Sequence, residues 1–174
     1  VLATAFSQWT AATCPSEGAP RSRTSIDVRD LGPVDCAEVD YSQTSGNQNV
    51  IVFRDDEWPH QDSNNTLALT TISFNPDTGE IYDGDMELNT ADIEIAVGDP
   101  VPADGYDFAS IVTHETGHFL GLAHSGDAYA TMFASYQAGQ TQMRRLTSDD
   151  VAGICEIYRP NTTRATFEGI TPAD

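Results

Sequence analysis

The stretch HETGHFLGLAH, residues 114–124, decides the reading of this chain. His114 and His118 lie four positions apart, so on a helix both imidazoles project from one face, one turn apart. That spacing lets both reach a single Zn2+ at ~2.0–2.1 Å. Glu115 stands beside the first ligand, where its carboxylate can meet a water on the metal without displacing it. Gly121 tolerates a positive φ, which ends the helix and turns the chain sharply. The turn brings His124 back as a third ligand. A metal with three protein ligands keeps one position open, which marks a catalytic site and not a structural one. Such a metal lowers the pKa of its water to about 7, and Glu115 is placed to take the proton and hand it to a leaving amine. Three of the chain's four histidines fall inside this one motif.

Around the motif, a helix is predicted from Asp107, as N-cap, through Ile111, Val112, Glu115 and Phe119 to Gly121. A last helix starts at Thr147 with Asp150 three residues on, a capping-box arrangement, and runs to Pro160. Residues 161–174 read as a tail or linker. Upstream, Leu67–Phe74 and Ile81–Leu88 flank Asn75-Pro76-Asp77-Thr78-Gly79, which predicts a hairpin. Ser25–Arg29 and Asn49–Arg54 read as further strands. Val1, Leu2, Ala5, Phe6 and Trp9 fall at helical spacing, and Cys14-Pro15 ends that segment.

The 174 residues suit one domain, and 39% apolar content is ordinary for a soluble protein. The longest apolar runs fall far short of the ~20 residues a membrane span needs. Asp and Glu number 27 against 8 basic residues, all arginine, for a net charge of -19. Such a field repels nucleic acid and anionic membrane surfaces and favours cations, so neither is an expected partner. Cys14, Cys36 and Cys155 permit one disulfide with a thiol left over. Closure of the short Cys14–Cys36 loop across Pro15, Ser16, Gly18 and Pro20 is the preferred pairing; three free thiols are the alternative. Val1 opens directly on a helical pattern, so upstream sequence is expected to have been removed.

HETGHFLGLAH resembles the extended zinc motif of the metzincin clan, H-E-x-x-H-x-x-G-x-x-H. Met132, in Ala130-Thr131-Met132-Phe133, lies at a suitable distance for that clan's Met-turn. Within the clan the chain is most similar to the matrixins. Ser125 follows the third histidine, and Tyr136 lies four residues past Met132, although Ala134 stands where the family has proline. LTSDDVAGICEIY (146–158) resembles the family's last helix, with Asp149 and Asp150 in place. LALTTISF (67–74) and IYDGDMELN (81–89) resemble the substrate-binding edge strand and the strand after it. Animal matrixins hold a second, structural zinc on three further histidines and an aspartate. Only His60 remains here, and it reads as a solvated loop residue.

The resemblance implies an α/β zincin fold: a twisted, mostly parallel sheet with one antiparallel edge strand, two long helices, a Met-turn and a C-terminal helix. It implies a single catalytic domain over residues 1–160, with an upper subdomain at 1–124, a lower subdomain at 125–160 and the zinc between them. Substrate would add as an extended strand beside Leu67, Ala68, Leu69 and Thr70. Ile111, His114 and Ala134–Tyr136 would wall the specificity pocket, with its outer loop near Gln137–Arg144. One catalytic zinc is expected, together with calcium on Asp83, Asp85 and Glu87, which alternate along one strand face. A secreted, extracellular, monomeric endopeptidase acting on protein or peptide follows, with an inhibitory propeptide lost on maturation. The competing readings are a zinc hydrolase of a non-protein substrate and a non-catalytic acidic calcium-binding module.

Overall fold

The spacing of Leu2, Ala5, Phe6 and Trp9 closes into helix α1, Leu2–Thr10, whose inner face buries Ala5 and Trp9. A computed structural model describes residues 1–15 and 22–160; the tail expected over 161–174 lies outside the described residues. Two short antiparallel strands follow, β1 (Thr13–Cys14) and β2 (Ser22–Arg23). The main sheet is built from β3 (Ile51–Arg54), β4 (Ala68–Phe74) and β5 (Ile81–Asn89). The central strand is β5, with β3 parallel on one side and β4 antiparallel on the other. The sheet is therefore mixed, and β4 is its antiparallel edge. The β4–β5 turn forms because the Asn75 side chain accepts from the amides of Asp77 and Thr78, while Gly79 takes a φ of 74°.

A small parallel pair, β6 (Ile95–Ala96) and β7 (Tyr106–Asp107), leads into helix α2, Phe108–Phe119. A 3-10 turn at Gln142–Arg144 precedes the last helix, α3 (Ser148–Ile157). Thr147 and Asp150 cap α3 reciprocally, as their spacing predicts. Ala5, Met86, Leu88, Phe108, Ile111 and Val112 pack α1 and α2 against the sheet. Trp9, Ala12, Cys14, Leu120, Met132, Ile154 and Cys155 form a second cluster below α2. Among the described residues no helix is long and apolar enough to cross a membrane.

Two expectations are corrected. The disulfide joins Cys14 to Cys155, with Cα atoms 5.5 Å apart, and Cys36 is the exposed free thiol. Strand β1 runs against α3, so the two sulfurs meet in the second core cluster. Pairing follows proximity in the fold, and the short loop to Cys36 carries no weight against it. The strand expected at Ser25–Arg29 does not form. No sheet edge reaches it; Thr24 donates instead to the carbonyls of Trp9 and Thr10, and the amide of Ser25 to Tyr158. His60 is an exposed loop residue, as expected, but it is anchored to the sheet. Its Nε2 lies 2.8 Å from Glu87 Oε2, and its ring stands edge-on to Trp58. Arg54 donates to the other Glu87 oxygen at 2.6 Å. Asn89 adds bonds to the carbonyls of Ser63 and Thr66, so side chains of β5 hold the loop that leads into β4.

Candidate active site

Helix α2 starts where Asp107 accepts from the amide and hydroxyl of Ser110 at 2.9 and 2.7 Å. Arg144 grips the same carboxylate with two nitrogens, at 2.7 and 2.8 Å. Burial alone would raise the Asp107 pKa, but the bonds from Arg144 and Ser110 outweigh it and hold the group below its ordinary value. One turn and more along, the helix presents His114, Glu115 and His118 to the cleft. The helix stops at Gly121, whose φ of 93° allows its amide to reach the His118 carbonyl and the Leu122 amide to reach Gly117. That reversal returns the chain to His124.

The donor atoms of the three histidines converge. His114 and His124 each place Nε2 3.1 Å from His118 Nε2. The contact between His114 and His118 is not a hydrogen bond. The Nδ1 of His114 lies 2.6 Å from the Thr131 carbonyl and that of His118 lies 2.8 Å from the Leu122 carbonyl. A carbonyl can only accept, so both Nδ1 atoms carry the proton and both Nε2 atoms carry a lone pair. Lone pairs turned toward one another at this range fit a single cation, since two ligands of a tetrahedral zinc stand about 3.3 Å apart. The residues present therefore fit zinc, and His114, His118 and His124 would hold it. Burial, above all, pushes His114 down to about 4, and the neighbouring imidazoles add to the shift. Burial also lowers His124, helped by the charge of His118. Neutral imidazoles are the ligand form.

The floor of the site is the expected Met-turn. Gly117 lies directly over Met132; a Cβ there would overlap the Met132 sulfur and stand 2.9 Å from Trp9 Cζ2. Asp150 holds the turn from below. Its carboxylate accepts from the amides of Thr131 and Met132 at 2.9 and 3.0 Å, and from the amide and hydroxyl of Thr147. Since the Thr131 carbonyl accepts from His114, the α3 cap fixes the first ligand through one peptide unit. Asp149, next to it, accepts from Ser125 Oγ at 2.6 Å.

Leu67, Ala68, Leu69 and Thr70 line the cleft with Ile111, Ala134 and Tyr136, around a volume of about 510 Å3. The free edge of β4 borders it. Glu115 is only 7% exposed. Burial raises its pKa, which the hydroxyl of Thr70 and the charge of His118 partly counter. Sequence reading placed the loop near Gln137–Arg144 at the pocket but missed Tyr106. Tyr106 and Met143 line it; the ring of Tyr106 lies 6.0 Å from that of Tyr136. Arg144 ties the same turn to Asp107, Asp99 and the Gly98 carbonyl.

Asp83 and Asp85 are buried on β5. Asp85 accepts from the Val50 amide at 2.9 Å, and Asp83 Oδ1 has no hydrogen-bond partner among the described residues. Glu87 directs its two oxygens at Arg54 and His60.

An edge strand standing over a helix with two histidines, a third histidine returned by a glycine turn and a methionine turn beneath, is the build of a metzincin. A family model for matrixin matches residues 30–159, most of the chain. Metalloendoproteinase 1-MMP of Arabidopsis thaliana is 31% identical over 129 residues, 74% of this chain and 34% of that protein. Matrix metalloproteinase-16 of Homo sapiens is 33% identical over 159 residues, 84% of this chain and 25% of that protein. Matrilysin of Homo sapiens is 36% identical over 103 residues, 59% of this chain and 35% of that protein. The chain belongs to the matrixin family of zinc metalloendopeptidases. It spans between a quarter and about a third of the length of these relatives.

Proposed function

We propose that this chain is a secreted endopeptidase, acting as a monomer on extended protein or peptide segments, with one zinc per chain. The observation that carries the reading is the convergence of three Nε2 atoms beside a buried carboxylate on the floor of an open-edged cleft. The free edge of β4 offers main-chain groups to an extended peptide, and Leu67, Leu69, Ile111 and Tyr136 offer apolar contact to its side chains. Zinc, when bound, would polarise a peptide carbonyl and make water a nucleophile near neutral pH. Glu115 accepts the proton that this water gives up and delivers it to the departing amine nitrogen, the role its position beside His114 suits. The cleft lies between residues 1–124 and 125–160, which act as its upper and lower walls. An inhibitory propeptide, removed on maturation, would keep the site closed until release.

Calcium is proposed as a structural ion on β5. Asp83 Oδ1, without a partner among the described residues, and the adjacent Asp85 supply hard oxygen donors for it. Glu87 contributes less to such a site than its spacing promises, because Arg54 and His60 already engage it.

The test is Glu115→Ala, assayed on casein and on a peptide library with zinc content measured in parallel. The variant should lose peptide hydrolysis and retain a single zinc, since the three imidazoles bind without the carboxylate. Retention of more than a few per cent of activity would remove Glu115 from the base role.

A further inference from the structure

Glu115 is a long side chain whose proton-accepting oxygen must stand in one place, and one group outside its own helix holds it. Thr70 Oγ1, on β4, lies 2.7 Å from Glu115 Oε2 and 3.3 Å from the Glu115 carbonyl. A carboxylate and a carbonyl only accept, so the threonine hydroxyl is the donor, and the shorter contact is a charge-assisted bond. Glu115 Oε1 has no hydrogen-bond partner among the described residues. We propose that Thr70 is a positioning residue, which ties Oε2 of the base to the cleft's edge strand so that Oε1 is the oxygen presented to the reacting proton. The inference rests on the reading of Glu115 as the base.

The register of β4 makes this tether specific. Side chains alternate along a strand, so Ala68, Thr70 and Ile72 share one face, and Leu69 and Thr71 the other. Helix α2 packs against β4, and Thr70 is the residue whose hydroxyl meets Glu115. Its neighbours in the cleft, Leu67, Ala68 and Leu69, bring no side-chain donor. Threonine also suits the place because a β-branched residue is stiff at χ1 and stable in a strand. The tether gives β4 two separate duties. Its main chain borders the substrate, while one of its side chains fixes the base, so the position of the peptide and that of the carboxylate are referred to the same strand.

Two substitutions in the full chain, loaded with zinc, test the assignment. Thr70→Val keeps shape and strand preference but removes the donor; Thr70→Ser keeps the donor. Thr70→Val should lower kcat on a single peptide by about 10- to 100-fold, the cost expected of a base misplaced by about 1 Å. KM should stay within about two-fold and zinc per chain should be unchanged, because the lost contact is made to the base and not to ground-state substrate. Thr70→Ser should recover most of the rate. In the metal-free protein, Thr70→Val should lower the melting temperature more in the Glu115 chain than in a Glu115→Ala chain, since the charge-assisted bond exists only in the former and the longer contact to the main-chain carbonyl in both. Wild-type kcat in Thr70→Val, beside an inactive Glu115→Ala, would overturn the role of Thr70 and leave the base in place. A kcat loss that serine does not restore, or equal melting shifts in both backgrounds, would reduce Thr70 to a packing residue. Activity surviving in Glu115→Ala itself would instead overturn the reading on which the inference rests.

Discussion

Asp150 and Asp85 are both buried carboxylates, 2% and 3% exposed, yet their surroundings answer the charge differently. Asp150 sits at the start of α3, below a loop whose amides are not used in any ladder. Four donors from Thr131, Met132 and Thr147 converge on it. Asp85 sits in the middle of a sheet, where neighbouring amides of β5 are already paired with β3 and β4. It receives one amide, from Val50, and faces Asp83, one of whose oxygens has no partner among the described residues. Burial lifts Asp85 to about 6; the Val50 bond opposes this, and the charge of Asp83 adds to it. A helix cap can neutralise a buried acid with backbone, whereas a strand interior needs a cation. Glu87, on the same face, has one in Arg54.

The largest effect should come from breaking the satisfied member. Asp150→Ala strands the amides of Thr131 and Met132 and removes the α3 cap, losses of about 1–3 kcal/mol each. A fall in melting temperature of about 10 °C or more is expected by calorimetry, together with weakened zinc retention through His114. A shift of only a degree or two would mean that the turn holds itself.

Next in size is the covalent link through the same region. The double variant Cys14→Ala/Cys155→Ala should lose about 2–5 kcal/mol, read as a melting shift of roughly 5–15 °C. Cys36→Ala should leave the transition where it is. A comparable fall in Cys36→Ala would restore the short Cys14–Cys36 loop as the pairing in solution.

The smallest effect probes the unsatisfied member and has a defined sign. The Asp85 pKa is raised on folding from 3.8 to about 6. Between those values the folded chain holds more of the proton than the unfolded one, so this group's contribution to stability declines as pH rises from about 4 and is gone above about 6. Asp85→Asn keeps the acceptor for Val50 and adds a donor that can face Asp83. The melting temperature of the wild type, relative to Asp85→Asn, should therefore fall between pH 4 and pH 7 in a calcium chelator. Saturating calcium should flatten or reverse that trend. A difference that stays constant with pH in both conditions would mean that Asp85 is not the strained group.

Much of the better-satisfied region could be read before folding because its signals are local. Asp107 ahead of Ile111, Thr147 three residues before Asp150, and Gly121 between two histidines each declare their own conformation. The Asn75–Gly79 turn did the same for the β4–β5 hairpin. What escaped was tertiary. Three cysteines allow three pairings, and nothing short of the packing of β1 on α3 chooses among them. Alternation at Ser25–Arg29 looks like a strand but finds no edge to pair with. Arg54, His60 and Glu87 are scattered in sequence and meet only through the parallel register of β3 with β5. Thr70 was legible as a cleft residue, but its bond to Glu115 depends on how closely α2 lies against the sheet.

The Cys14–Cys155 bond also changes what it means for this chain to be cut. Residues 24–50 contain no helix or strand and carry exposed side chains such as Leu31, at 89% exposure. Exposed polypeptide of this kind is where proteases nick first, a peptidase's own copies included. Every peptide bond between Cys14 and Cys155 lies within one covalent ring, so a single scission there opens the ring without releasing a fragment. A nicked molecule of this sort runs as one species on a non-reducing gel and falls into two when reductant is added. Ageing by self-digestion would therefore stay hidden in a stored sample until the disulfide was reduced.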